Sequence, residues 1–356
     1  MIAFVLASYA PDIPAGIERA TAALAAGLGK RGHDTLMIAA NGTATEPGIV
    51  RLRSLEVSFP ADDRALRHAI DDSAVSAEIA EILDRHQARL VVYTDALWGL
   101  GRAMADHPAR KVLAVHIVGH DEDLRPALVS ADVVIAPSPM VLQQAADRGY
   151  PTADWRIVPN ALLHDEGAWL DQGRRERLRT NGPVRVLARA APEKGAAELL
   201  DHMPRLDRRV EIMLATAPFE QREHRQAEII RRCLDTKDPQ LRVQTGGLAW
   251  RQVPGWLANA AVVIVPSLAE TFGLVALEAM NVGTPVVAYD VGNLPELLSS
   301  GGVIVKRSEG PYGLWQAAMA ITQDPVTYLR TSRAAYYRSR DFRPTTIADT
   351  FLKAVW

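Results

Sequence analysis

Residues 261–298 read AVVIVPSLAETFGLVALEAMNVGTPVVAYDVGNLPELL. The continuous β-branched run AVVIVP, closed by Pro266 and Ser267, has the composition of a strand buried on both faces. The spacing then predicts a helix that starts near Thr271 to Gly273, runs to Asn281 and is stopped by Gly283. A second apolar run, Pro285 to Tyr289, supplies the next strand. Strand, helix and strand in this order make a βαβ unit, so the segment belongs to a parallel sheet with crossover helices. A helix that follows a strand directly turns its first N–H groups and positive dipole end toward the carboxyl edge of that sheet. Thr271, Phe272 and Gly273 supply donors there, and Gly273 lets a ligand approach the backbone, which makes an anion site. Glu270 lies in the loop and Glu278 on the helix. On one continuous helix, residues eight apart stand about 80° out of line. Glu270 precedes the helix, so the two carboxylates can reach different parts of one extended ligand. Carboxylates seek hydroxyl donors, so a sugar at one and a ribose at the other would account for both. The plainer alternative is a glutamate serving the helix dipole and a second one on the surface.

Working outward, the same scheme fills both halves of the chain. Apolar runs at Ile2 to Ala7, Asp34 to Ala40, Arg89 to Thr94, Lys111 to His116, Asp132 to Ala136 and Arg156 to Val158 are expected strands of a first sheet. Ile17 to Arg31, ended by Gly32, is an expected helix. Arg185 to Arg189, Val210 to Ala215, Leu241 to Gln244, Ala261 to Val265 and Pro285 to Tyr289 are expected strands of a second. The fold class is therefore α/β, with two doubly wound, Rossmann-like domains whose strand ends would face each other across a cleft. The expected boundaries are a first domain over 1–165, a linker over 166–182 and a second domain over 183–343. The arginine-rich stretch HDEGAWLDQGRRERLRTNGP, residues 164–183, is read as a solvated linker or linker helix. The terminal run 344–356, with Phe351, Leu352, Val355 and Trp356, is expected to form a helix that packs back on the first domain.

Composition narrows the ligand. The chain has 356 residues, 48% hydrophobic and 23% charged, and a formal charge of −2. That balance gives no general field for nucleic acid or an anionic membrane, so an anion must be held by a few placed groups. Only six of the 40 basic residues are lysine, so Lys194 is a more telling cation than any arginine. The lone Cys233 excludes an internal disulfide and a cysteine-built metal site. No apolar run has the roughly 20 residues needed to span a bilayer. The opening IAFVLA is read as a first strand rather than a leader, in a reducing, cytoplasmic protein. The stretch 62–70, DDRALRHAI, is the nearest thing to a membrane-facing helix and is too mixed in charge for one.

The string ETFGLVALE followed by GTPVVAYDVGNLPEL resembles the E-x7-E signature of retaining glycosyltransferases of the GT-B fold, in particular glycosyltransferase family 4. Four further segments agree in order: PAGIERATAALAAGLGKRGHD (14–34), KVLAVHIVGHD (111–121), SADVVIAPSPMVLQQAADRGYPTADWRIVPNAL (130–162) and LARAAPEKG (187–195). The resemblance implies catalytic roles for His116, Arg189, Lys194 and Glu270. Arg189 and Lys194 would neutralise a nucleotide diphosphate, Glu278 would hold the ribose, and Glu270 would hold the donor sugar. The backbone of Thr271, Phe272, Gly273, Leu274 and Val275 would assist. Gly246, Gly247 and Leu248 would grip the base, and the loop at Gly16 would approach the phosphate or acceptor. Where the family carries glycine, this chain has Ala15, Ala161 and Ala188, which narrows the backbone's approach to a ligand.

The expected reaction is sugar transfer from a nucleotide diphosphate sugar, UDP-linked by preference, to a hydroxyl of a small acceptor, with no further cofactor and no metal. The HxxxHDED run at 116–123 could be taken for a metal site, but it follows a strand, which does not align its histidines. Alternatives on the same fold are an epimerase, a phosphorylase or a pseudo-glycosyltransferase; from another class, a catalytically silent sugar-nucleotide-binding protein.

Overall fold

A computed structural model describes every residue except 13, 42–47, 58–62, 71–72, 95–99, 168–170 and 217–222. The chain divides into two compact units: Met1–Pro11, Ala15–Leu163 and Pro344–Trp356 form unit 1, and Asp12–Pro14 with His164–Arg343 form unit 2.

Unit 1 runs β1 (Ile2–Leu6), α1 (Gly16–Lys30), β2 (Thr35–Asn41), β3 (Ile49–Glu56), α2 (Asp63–Ile70), α3 (Ser73–Arg85), β4 (Leu90–Tyr93), β5 (Arg110–Ala114), α4 (Asp121–Ser130), β6 (Val133–Ala136), α5 (Pro139–Asp147) and β7 (Arg156–Ile157). Its sheet is parallel, in the order β3-β2-β1-β4-β5-β6-β7. All five side chains of β1 are buried, as helices on both faces of the sheet require. β3 was not expected from its sequence: IVRLRSLE interrupts the apolar run with arginine and serine. An edge strand tolerates that, because only Leu52 and Leu55 turn fully into the core. α2 covers most of the stretch considered for a membrane face; Asp62 lies outside the described residues. Leu66 and Ile70 turn into the core of unit 1, so the apolar side of α2 already has its partner. Among the described residues no helix is long and apolar enough to cross a membrane.

Unit 2 runs α6 (Gln172–Asn181), β8 (Val184–Arg189), α7 (Ala196–Asp201), β9 (Val210–Ala215), α8 (Glu223–Asp235), β10 (Leu241–Thr245), α9 (Val253–Ala258), β11 (Val262–Val265), α10 (Leu274–Asn281), β12 (Val286–Tyr289), α11 (Leu294–Leu298), β13 (Gly302–Val305), α12 (Gly310–Gln323) and α13 (Pro325–Ser339). Its parallel sheet has the order β10-β9-β8-β11-β12-β13. The four-residue strand β13, opening on a glycine, escaped the sequence reading; it is the other edge of this sheet.

The arginine-rich stretch forms the helix α6, the second of the two forms expected of it, but Arg175 departs from the solvation expected there. Asp171 caps α6 by accepting a hydrogen bond from the Arg174 N–H at 2.9 Å. Arg175 is fully buried and donates to the carbonyls of Ala258, Ala260 and Val282 and to Thr284 Oγ1, at 3.0–3.1 Å. The guanidinium thus binds α6 to the ends of α9 and α10, three places where strand and helix termini leave carbonyls without a ladder partner. The final helix, α14 (Pro344–Val355), returns to unit 1 and packs on α1. Ile347, Ala348, Phe351 and Val355 form its buried stripe. The approach is close: a Cβ at Gly27 would lie 2.2 Å from the Pro344 carbonyl oxygen.

Each sheet has one place where the strand order reverses. In unit 1 it lies between β1 and β4, in unit 2 between β8 and β11. Loops leaving adjacent strands at such a point part to opposite faces and open a crevice at the carboxyl edge.

Candidate functional site

The crevice of unit 2 is built from the loops after β8 and β11, and the expected phosphate and sugar residues meet there. β8 ends on Arg189; Pro192–Lys194 then form one tight turn closed by Gly195 at φ 65°. A side chain at 195 would strike the Pro266 carbonyl oxygen at 2.2 Å, so glycine is demanded twice, by its φ and by the contact. The two loops are joined by the backbone: the Leu268 N–H donates to the Glu193 carbonyl at 2.8 Å.

Across this junction Lys194 Nζ donates to Glu270 Oε2 at 2.8 Å, with both side chains largely buried. Ser267 Oγ reaches the same oxygen at 3.4 Å. Arg189 donates to Glu193 Oε1 at 3.0 Å. The loop 270–273 then leads into α10, which starts at Leu274, just past the expected range of Thr271 to Gly273, because Gly273 adopts φ 105° as the residue before the helix. Leu274 and Val275, on the first turn, are part-exposed, whereas Glu278 one turn later is 6% exposed. The Phe272 ring is buried edge-on against Phe342, so this residue offers a ligand only its backbone.

Gly246, Gly247 and Leu248 follow β10, at the same carboxyl edge. Gly246 and Gly247 both have positive φ, 100° and 74°, and the Gly247 N–H is anchored on the Leu214 carbonyl. β10 lies two strand spacings from β8, about 10 Å.

In unit 1, Gly16 opens α1 at the carboxyl edge of β1. Ala15 before it is extended at φ −118°, so its methyl group carries no backbone strain; nor is Ala161 or Ala188 among the described non-glycine residues of positive φ. Ser8 Oγ donates to the buried Glu18 at 2.7 Å beneath this loop. His116 follows β5. Its side chain is part-exposed, yet the protein packed around the imidazole pushes its pKa down to about 4, so the ring is neutral at physiological pH. The acidic run after it serves other ends. His120 is the residue before α4, Asp121 binds Tyr150 and Arg125, and Asp123 is fully buried between Arg67 and Arg102. Among the described residues, no three His, Cys, Asp or Glu side chains are grouped to hold a metal ion.

Residues 184–324 match the family profile described as Glycosyl transferases group 1, and residues 14–165 match that of Glycosyltransferase Family 4. The chain belongs to this glycosyltransferase family. Among curated proteins, this family-4 chain is 37% identical over 169 residues to a D-inositol 3-phosphate glycosyltransferase of Kribbella flavida, a match covering 45% of the chain and 38% of that protein. It is 30% identical over 210 residues to a glycogen synthase of Mycobacterium tuberculosis, covering 55% and 47% respectively. The matches thus span less than half the length of these relatives. Among solved structures, Anabaena HepE in complex with UDP-glucose superposes with a TM-score of 0.75 at 19% identity, over 99% of this chain and 98% of that one. Sucrose-phosphate synthase from Thermosynechococcus elongatus gives 0.77 at 20% identity, over 99% and 97%. The glycosyltransferase fold of this chain is therefore GT-B, with two Rossmann-like units.

Three contributors to the site were not singled out from the sequence. Glu193 and Ser267 were overlooked because short polar residues in loops carry no periodicity. Asn293 had a legible signal, an Asn placed before Leu-Pro at a helix start, and its contacts are taken up below.

Proposed function

We propose that the protein transfers a sugar from a nucleotide diphosphate sugar, with UDP as the favoured nucleotide, to an acceptor hydroxyl, with retention at the anomeric carbon. The observation that carries this reading is the convergence of Lys194, Arg189, Glu270 and the start of α10 at the strand-order reversal of unit 2. Two cations and a helix N-terminus at a sheet's carboxyl edge suit a diphosphate. The carboxylate beside them suits a sugar hydroxyl. The glycine pair 246–247, about 10 Å along the same edge, lies at a nucleoside's reach from the phosphates and suits a base held by backbone groups. UDP-glucose bound to the Anabaena protein of this fold supports the choice of nucleotide.

In this reading the bond from the anomeric carbon to the phosphate oxygen breaks while the bond to the acceptor oxygen forms on the same face. The acceptor's proton passes to the departing phosphate oxygen. Arg189, Lys194 and the N–H groups at the start of α10 stabilise the charge that develops there. Glu270, held by Lys194 and Ser267, positions the sugar and does not attack it. Glu278 holds the ribose, and neutral His116 offers a hydrogen bond without adding charge. Unit 2, which contains the expected donor domain 183–343, binds the donor, and unit 1, which includes 344–356, carries the acceptor, in a cytoplasmic enzyme that requires no metal.

The D-inositol 3-phosphate glycosyltransferases among the relatives favour a small polyol acceptor. Calorimetry with UDP, GDP and ADP tests the nucleotide, with UDP expected to bind most tightly. Nuclear magnetic resonance of the product formed from UDP-glucose and candidate polyols tests retention. Preferred binding of GDP or ADP, or a product of inverted anomeric configuration, would refute the corresponding part. Release of an epimerised sugar from donor alone would point to the epimerase alternative.

A further inference from the structure

We infer that Asn293 is a positioning residue for donor binding, fixing the peptide planes of the loop 270–273 so that its N–H groups face the ligand. The inference rests on the donor site proposed above. Asn293 is 6% exposed and directly precedes α11. An asparagine in that position ordinarily turns its side chain onto the first N–H groups of its own helix. Here it makes no such cap. Instead Nδ2 reaches across to the Phe272 carbonyl at 3.3 Å, and the backbone N–H donates to the Glu270 carbonyl at 3.2 Å.

Peptide geometry gives these two bonds a consequence on the far side of the loop. In a planar trans peptide, a carbonyl and the following N–H point in opposite directions. With the Glu270 and Phe272 carbonyls held toward Asn293, the N–H groups of Thr271 and Gly273 are aimed away from α11. Those are two of the donors assigned to the ligand. The neighbours of Asn293 enforce the same arrangement. Leu294 and Leu297 close over Gly273 so tightly that a Cβ there would lie 2.9 Å from a methyl group of each. Loop and helix therefore fit only with glycine at 273, at the φ of 105° that it shows. Asn293 sets the direction of the donors, and the two leucines set the depth of the loop.

The test uses the full chain with Asn293→Ala and Asn293→Ser. The serine hydroxyl is too short to span to the Phe272 carbonyl but keeps a neutral polar group suited to a helix start, and it carries the test if the alanine variant unfolds. Loss of one buried hydrogen bond predicts UDP binding weaker by about fivefold to tenfold. For UDP release from UDP-glucose, the rise in KM should exceed the fall in kcat, with the thermal midpoint moved by only about 2 °C. Amide exchange at 271–273 should quicken in both variants while α10 stays protected. UDP affinity within twofold of the parent in both variants, or unchanged exchange at 271–273, overturns the inference. If the parent itself binds no uridine nucleotide, the proposed function falls, and the exchange measurement still decides whether Asn293 locks the loop.

Discussion

Lys194 has one geometry and two tasks. Its charge is met by Glu270 at 2.8 Å, and in the proposed reaction the same ammonium would also face the phosphate oxygens of the donor. A part-buried pair of this kind keeps a cation poised in a site that would otherwise disfavour it. Lys194→Ala should therefore lower turnover by about a hundredfold to a thousandfold, the cost typical of losing one group that stabilises transition-state charge. The secondary structure should be retained, as circular dichroism would verify; near-normal turnover would remove Lys194 from the mechanism. His116 gives a pH prediction of definite sign. Its pKa falls from 6.5 to about 4 in the fold, so between these values the unfolded chain binds the proton that the native one refuses. Stability from this group is complete above pH 6.5 and declines as pH drops toward 4. Thermal melts of His116→Gln should be flatter than the parent's across that window, and a parallel decline in both would contradict the assignment.

At the scale of elements, the site depends on a helix that the sequence places outside the domain. α6 enters unit 2 through Arg175, whose guanidinium satisfies four buried oxygens at once. Removing it leaves carbonyls at the ends of α9 and α10 desolvated and unpaired. Arg175→Ala should cost about 3 kcal/mol or more in urea denaturation, and Arg175→Lys should not restore it, since one ammonium cannot span the fork. An effect under about 0.5 kcal/mol would show the contacts to be incidental. α10 itself is neutral at its first turn and draws its entry angle from Gly273. Its start, directly after the Thr271 to Gly273 range that the sequence pattern suggests, follows from that left-handed residue. A pattern of apolar spacing does not register backbone sign.

For the whole molecule, the chain crosses from unit 1 to unit 2 and returns, so that α14 completes the unit in which the chain begins. Deleting residues 344–356 strips Ile347, Phe351 and Val355 from α1, each worth roughly 1.5–3 kcal/mol when buried. Calorimetry should then show the transition of unit 1 lowered by many degrees while unit 2 melts near its former temperature. Equal losses in both would mean that the units do not unfold separately. Most of the architecture was legible in advance: continuous apolar runs alternating with amphipathic ones specify parallel strands and crossover helices through periodicity alone. The edge strands β3 and β13 were not, because one-sided exposure dilutes that signal. Lys194 and Glu270 were legible as candidates through residue type and loop position, and the structure pairs them, whereas Glu193 and Ser267 beside them carried no signal. The sequence by itself determined where the strands end and the helices start, and so which loops stand at the carboxyl edge of each sheet, since local spacing encodes those boundaries. Only tertiary structure decided that Lys194 meets a carboxylate 76 residues away, that Arg175 is buried and that Asn293 turns outward to brace a loop. Those contacts are made where strand order brings distant loops together, and no local pattern carries that information.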